Sequence, residues 1–288
     1  MPDWIIQFPF ELAIDTGEID RVIREFRENF AVVFETIRTI LRTAINAVDT
    51  LLAFLPWWVL MLLVFLRGWR VSGKVTRGIL YAAILSFIGI VGLWDLMNLT
   101  LTIVIVSVIL CILFGFPTGV LIAGSDRANR ILLPVLDTMQ TMPVFVYLLP
   151  AVVFFGLGRV PAVIATTIYA VVPLIRLTNL GIRQIDAEVV EAAKAFGATH
   201  MQSLIKVKIP QAMPTIKAGL NQTLMMAMAM VVTCSMIGAG GLGMEILASV
   251  QRNEMGRGLI AGTCVVIVAI LLDRLMQSSK KGDNAGNE

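Results

Sequence analysis

Charge is scarce in this chain: only 15% of its 288 residues are Asp, Glu, Lys or Arg, against roughly a quarter in soluble domains. With 57% hydrophobic residues and a mean hydropathy of +0.84, the composition excludes an ordinary soluble globule and reads as an integral membrane protein. Histidine occurs once, as His200, without a Cys, Asp or Glu cluster beside it, so no metal site is expected. The three cysteines, Cys111, Cys234 and Cys264, are odd in number and lie in apolar runs, which argues against a disulfide framework. No G-x-x-x-x-G-K-[ST] phosphate loop is present, so the chain cannot hold ATP that way. Met1 to Ser72 lacks a basic start, a short apolar stretch and a small-residue cleavage site, so no cleavable signal peptide is expected. The net charge of +3 is modest and gives no reason to expect nucleic acid.

What the chain has in abundance is apolar runs, at about 50–66, 78–94, 99–123, 132–155, 160–175, 215–237 and 259–272. A spanning helix needs about 20 apolar residues, with a range of about 17 to 25, so the fold class expected is an all-α membrane protein of about seven spanning helices. Basic residues set its orientation. Arg67, Arg70, Lys74 and Arg77 follow the first run, Arg127 and Arg130 the third, and Arg176, Arg183, Lys194, Lys206, Lys208 and Lys217 lie between the fifth and sixth. Arg274, Lys280 and Lys281 close the chain. The positive-inside rule then places the N-terminus outside and the C-terminus in the cytoplasm of a plasma (inner) membrane.

The expected organisation is an extracytoplasmic tail and amphipathic helix over 1–49, a transmembrane domain over 50–275 and a cytoplasmic tail over 276–288. Residues 18–49 carry too many charges to span, yet Ile19, Val22, Ile23, Phe26, Phe30, Val33, Phe34, Ile37, Leu41, Ile45 and Val48 recur at helical spacing, giving one long amphipathic helix. It can lie on membrane lipid, cross the outer mouth of the protein or pack on a neighbouring subunit.

The most informative segment is polar: DAEVVEAAKAFGATHMQSLIKVKIP, residues 186–210. Asp186 is a helix N-cap, Glu188 suits the positive first turn and Gly197 suits a left-handed stop, predicting a helix over about 187–196. Thr199 and Gln202 fit a capping box that opens a second short helix, with Lys206 and Lys208 near its end and Pro210 as its stop. The small side chains of Ala192, Ala193 and Ala195 allow another protein to approach the backbone closely. This bracket is expected to dock on a partner.

The spacing Glu191-Ala192-Ala193, Gly197, Val207-Lys208-Ile209-Pro210 resembles the EAA motif of permease subunits of bacterial ABC importers, departing only in Val207 and Ile209, which replace one aliphatic side chain by another. That resemblance implies a coupling loop, 186–210, in which Glu191, Ala192, Ala193, Ala195, Phe196, Gly197 and Pro210 meet an ATP-binding subunit. The stretch DTMQTMPVFVYLLPAVVFFGLGRVPAVIATTIYAVVPLIRLTNLGIRQI, with GLNQT and MIGAGGLG after it, is similar to permeases of glycine betaine/proline betaine importers. The resemblance covers about a hundred residues strongly and implies the transmembrane domain of a type I ABC importer. It further implies a homodimer of this permease, an ATPase carrying ATP and Mg, and an extracytoplasmic substrate-binding protein, expected to be separate because the sequence stops at Glu288. A quaternary ammonium favours an aromatic cage; aromatics make up only 8%, and Trp57, Trp58, Trp69 and Trp94 fall near predicted membrane surfaces. Selectivity is therefore expected mainly in the delivery protein.

For the translocation path or gate, the candidates are Asp137, Gln140 and Met142 in the fourth run, Asn221 and Thr223 in the sixth, and Gly238, Gly240, Gly241 and Gly243 after it. The polar ones equally suit pairing between helices. The glycines match G-x-G-x-x-G literally, but a membrane helix rather than a strand precedes them, so a bend at an outer gate is expected instead of a nucleotide site. Glu188 and Glu191 share a solvated helix face and do not form an acid–base pair. Nothing reads as a catalytic constellation, and no cofactor is expected on this chain. A permease for another small amine or amino acid shares the bracket, and a secondary osmolyte transporter shares the hydropathy but calls for a buried charge relay, for which only Asp137 offers itself.

Overall fold

The computed structural model describes residues 16–276, and within them every regular element is helical. Residues 1–15 of the expected N-terminal segment lie outside the described residues, and of the expected cytoplasmic tail over 276–288 only Met276 is described, as the last residue of the final helix. The elements are α1 (Thr16–Asn29), α2 (Ala31–Phe54), α3 (Trp57–Ser72), α4 (Val75–Ile90), α5 (Trp94–Ala123), α6 (Asp126–Thr141) and α7 (Phe145–Phe155). Then follow α8 (Arg159–Arg183), α9 (Ala187–Ala195), α10 (His200–Ser203), α11 (Ile209–Cys234), α12 (Leu242–Gln251) and α13 (Met255–Met276).

The all-helical membrane class holds, and the expected seven spans are refined. Four stretches are long and apolar enough to cross unbroken: Trp94–Ala123, Arg159–Arg183, His200–Ile237 and Met255–Met276. The runs at 50–66 and 132–155 are not straight helices, because each is broken at an X-Pro step. Leu55 before Pro56 and Met142 before Pro143 take extended backbone, ψ 115 and 135, since a following proline ring disfavours the helical conformation. The axes turn by 92° between α2 and α3 and by 94° between α6 and α7. Counting each bent pair as one crossing gives up to six, and α4 is a shorter apolar helix of 16 residues. Pro117, Pro134, Pro150, Pro173 and Pro214 sit inside helices without breaking them.

The core is built on α8, which packs along both α5 and α11. Small residues set the spacing. Gly115 and Gly119 form a G-x-x-x-G face on α5, and a Cβ added at Gly119 would come within 2.8 Å of the Ile175 carbonyl oxygen. That is the close approach through which membrane helices gain packing energy when lipid supplies no hydrophobic drive between them. Ala162, Ala165, Ala170 and Ala227 are fully buried at these seams.

The expected single amphipathic helix is two, divided at Phe30, and the boundary after residue 49 falls inside α2. Only part of its stripe is satisfied within the chain. Leu41, Ile45 and Leu52 are buried, and α2 packs against α5, α7 and α8. Asp49 fixes that contact by pairing with Arg159 at 2.8 Å. Phe34 stacks on Phe154 at 4.9 Å and meets Phe155 edge-on at 5.5 Å. Ile19, Val22, Phe26, Phe30 and Val33 remain exposed.

Candidate functional site

Residues 186–209 fold as the local chemistry dictates. The Asp186 carboxylate accepts from the Glu188 N–H at 3.0 Å, so α9 starts with an orphan donor satisfied. It ends at Gly197, whose φ is +80. The Gly197 N–H reaches the Lys194 carbonyl at 2.8 Å and the Ala198 N–H the Ala193 carbonyl at 3.0 Å, the paired bonds of a Schellman stop. Two residues on, the Thr199 N–H donates to Gln202 Oε1 at 2.9 Å and the Gln202 N–H to Thr199 Oγ1 at 3.3 Å, a closed capping box. Glu191, Ala192, Ala195 and Gly197 are exposed and Ala193 is half-buried. Phe196 stands 93% exposed, a bare aromatic at the corner between two capped helices.

Pro210 corrects an expectation. It does not stop a short helix; it is the second residue of α11, which continues to Cys234. Between α10 and α11 the chain widens into a π-helix, Leu204–Lys208, closed by the Ile209 N–H bonding back to the Leu204 carbonyl. A proline ring collides with the carbonyl four residues before it and has no N–H to offer. The wider turn relieves that collision, so the rod passes through.

The candidate path residues divide. Asp137 and Gln140 on α6 are brought together by Arg176 of α8, which pairs with the Asp137 carboxylate and donates to Gln140 Oε1 at 2.7 Å. Gln140 and Arg176 border a cleft of about 360 Å³ whose lining also includes Asn179 and Gln222, and Asp137 adjoins it through its pair with Arg176. Met142 is half-buried at the α6–α7 break. Asn221 is instead committed to α13, its Nδ2 donating to Asp273 Oδ1 at 2.5 Å. Thr223 is fully buried between helices and so lines no open path here. Arg176 was not among the expected path residues, because it reads as one more basic residue of the inner loop. The signal that finds it is Asp137 inside the fourth apolar run, a lone carboxylate that calls for a cation, with Arg176 at the edge of the fifth run.

The glycine bend after α11 is partly a packed joint. Ser235–Ile237 form one 3-10 turn, and Gly238, Gly240 and Gly241 all have φ near +80. Gly238 is exposed, whereas Gly241 and Gly243 are buried. Thr100 of α5 accepts from the Leu242 N–H at 2.9 Å and would lie 2.5 Å from a Cβ at Gly241. Gly243 faces the backbone of Val232, whose Cα would be 2.8 Å from a new Cβ.

Residues 115–281 match the family described as binding-protein-dependent transport system inner membrane component. The glycine betaine/proline betaine transport system permease protein ProW of Escherichia coli (strain K12) is 44% identical over 263 residues, which cover 91% of this chain and 73% of that one. The glycine betaine transport system permease protein OpuAB of Bacillus subtilis (strain 168) is 43% identical over 272 residues, 93% of this chain and 95% of its own. Among solved structures, an inward-facing conformation of the MetNI methionine ABC transporter superposes with a TM-score of 0.53 at 24% identity, covering 62% of this chain and 88% of the matched one. That last likeness is one of fold.

Proposed function

We propose, from the premise that this chain belongs to the family of binding-protein-dependent transport system inner membrane components, that it forms the transmembrane path of an ATP-driven importer for glycine betaine-type quaternary amines. The observation that carries the substrate class is the identity of 44% and 43% with two glycine betaine permeases along more than nine-tenths of the chain. As a permease of this family the chain is a multi-pass inner-membrane subunit without catalytic chemistry of its own, working with an ATPase and a substrate-binding protein.

Glu191 to Gly197 and the π segment form the coupling surface. Phe196, exposed between two capped helices, would fill a hollow on the ATPase, and Asp186, Gly197 and Thr199 hold it rigid. ATP binding by the partner brings two such loops together and opens the path outward; hydrolysis releases them, so transport follows from two states of different affinity. Two copies of the chain enclose the path, since a charged pair within a spanning helix needs water or protein rather than lipid beside it. The loop lies on the cytoplasmic side and Gly238 on the outer side.

Proteoliposomes holding the permease, its ATPase and its binding protein should accumulate radiolabelled glycine betaine on ATP addition, and vesicles with the permease alone should not accumulate it under a proton or sodium gradient. Gradient-driven uptake by the permease alone would overturn the reading. Orientation is tested at Met236, which is exposed, rather than at buried Gly241. Met236→Cys should react with a membrane-impermeant thiol reagent added outside intact cells; labelling only from the inner side would invert the topology.

A further inference from the structure

The pair formed by Asp137 and Arg176 is a charge arrangement of unusual placement. Arg176 lies seven residues before the end of α8 at Arg183, about 10 Å along the axis at 1.5 Å per residue. The Asp137 side chain is nonetheless 56% exposed and that of Arg176 34% exposed. Lipid would tolerate neither, so this face of α6 and α8 meets water or protein. Beside Arg176 the cleft is lined by apolar Leu133, Pro173, Leu177 and Leu180 and by the uncharged polar groups of Gln140, Asn179 and Gln222. Gln140 Oε1 accepts from Arg176, Gln222 borders it from α11, and the Oδ1 of Asn179, a residue only 5% exposed, has no hydrogen-bond partner while its Nδ2 donates to Asn129 at 2.7 Å.

We infer that Asp137 and Arg176 form a zwitterion-binding subsite inside the permease, which the empty protein closes on itself. The inference rests on the proposed substrate class. A betaine carries a carboxylate at one end and a fixed quaternary ammonium at the other. Its carboxylate replaces that of Asp137 on the planar guanidinium, which is shaped for such a partner. Asp137, so released, faces the ammonium, which has no proton to donate and asks only for charge. Two charges leave a pair and two enter, so the exchange costs little net electrostatic energy, whereas a simple cation or anion would strand one member. The same exchange unlatches α6 from α8, so occupancy by the right charge pattern opens the contact. The binding protein captures the ligand; this subsite passes on only ligands of both signs.

The test uses the reconstituted complex of permease, ATPase and binding protein. Arg176→Gln should lower the maximal rate of glycine betaine uptake about 10- to 100-fold, the range expected for hydrogen bonds to a charged group. KM, set by capture outside, should stay within about two-fold, and Arg176→Lys, which keeps the charge but loses the planar fork, should recover only a small part of the rate. Should Arg176→Gln fail to assemble, the double variant Asp137→Asn with Arg176→Gln leaves no stranded charge and is expected to assemble, because removing both members of such a pair is often harmless to stability. If the pair serves structure alone, this double variant transports at the wild-type rate, and that result overturns the inference; if the pair is a subsite, the double variant assembles and remains slow. Normal wild-type uptake with an unimpaired double variant overturns the subsite alone. A wild-type complex that imports no quaternary amine overturns the substrate class with it.

Discussion

Gly197 and Gly241 have nearly the same backbone, φ +80 and +81, and opposite surroundings. No atom lies within 4 Å of where a Cβ at Gly197 would sit, while Gly241 is pressed onto Thr100 and the Leu96 carbonyl. The first glycine stops a helix in the open and holds Phe196 out. The second allows one helix to be fastened to another. A left-handed glycine is required for conformation at both places, but only at Gly241 is it required for space, and this is why a bend that looks mobile in sequence is in part a joint. Room is left in that bend only at Gly238 and Gly240, where an added Cβ would meet nothing closer than 3.8 Å.

The sharpest way to break this contrast is Gly243→Val, which drives a branched side chain into the Val232 backbone. Overpacking of about 3 kcal/mol or more is expected, read as loss of folded permease in size-exclusion profiles; a monodisperse variant with normal yield would show that the joint has slack. Gly241→Ala should cost about 2 to 3 kcal/mol, combining the left-handed penalty with the Thr100 contact. Part of that loss should return with Thr100→Ala, measured as the thermal midpoint of the detergent-solubilised protein. Phe196→Ala should leave that midpoint unchanged and weaken ATPase binding about ten-fold, as removal of an aromatic anchor does, read by titration of the ATPase in nanodiscs. Gly197→Asp should cost about 1 kcal/mol locally, lowering betaine-stimulated ATP hydrolysis several-fold with the spans intact; transport at the normal rate would mean that the helix stop does not position Phe196. Smallest is Thr199→Ala, a cap loss of about 1 kcal/mol in a helix already tethered on both sides, visible as faster hydrogen exchange over residues 199–203 and little change in uptake.

Much of the polar bracket at 186–209 is legible because its signals are local. Asp186, Gly197 and the Thr199–Gln202 box each act within four residues, and all three take the structure their chemistry requires. Pro210 was misread because a proline that ends a helix and one that follows a π turn look alike in sequence; the deciding factor is where the Lys206 carbonyl points. The prolines at 56 and 143 break their runs and that at 173 does not, and the composition of the runs does not separate them. Polarity alone makes Thr223 and Asn221 path candidates, yet which way they face is set by packing against α8 and α13. Arg176 escaped notice because positive charge near a helix end is the ordinary mark of an inner loop, and its partner lies 39 positions away.

His200–Ile237 is one continuous 38-residue helical stretch, about 55 Å long at 1.5 Å per residue, nearly twice the roughly 30 Å of a bilayer's hydrocarbon. Near its midpoint Gly219 lies against Pro173 and Leu177 with no room for a Cβ. The stretch is thus a see-saw with a central fulcrum, whose two ends adjoin the two turns compared above. A tilt of about 10° would sweep each end through about 5 Å, computed from its half-length, and in opposite directions. The surplus of about 25 Å leaves part of the stretch outside the hydrocarbon, where a push from another protein meets no resistance from the membrane. If the stretch pivots as one rod at Gly219, drawing the bracket one way moves Gly238 the other, with no signal needed in between beyond the stiffness of the helix.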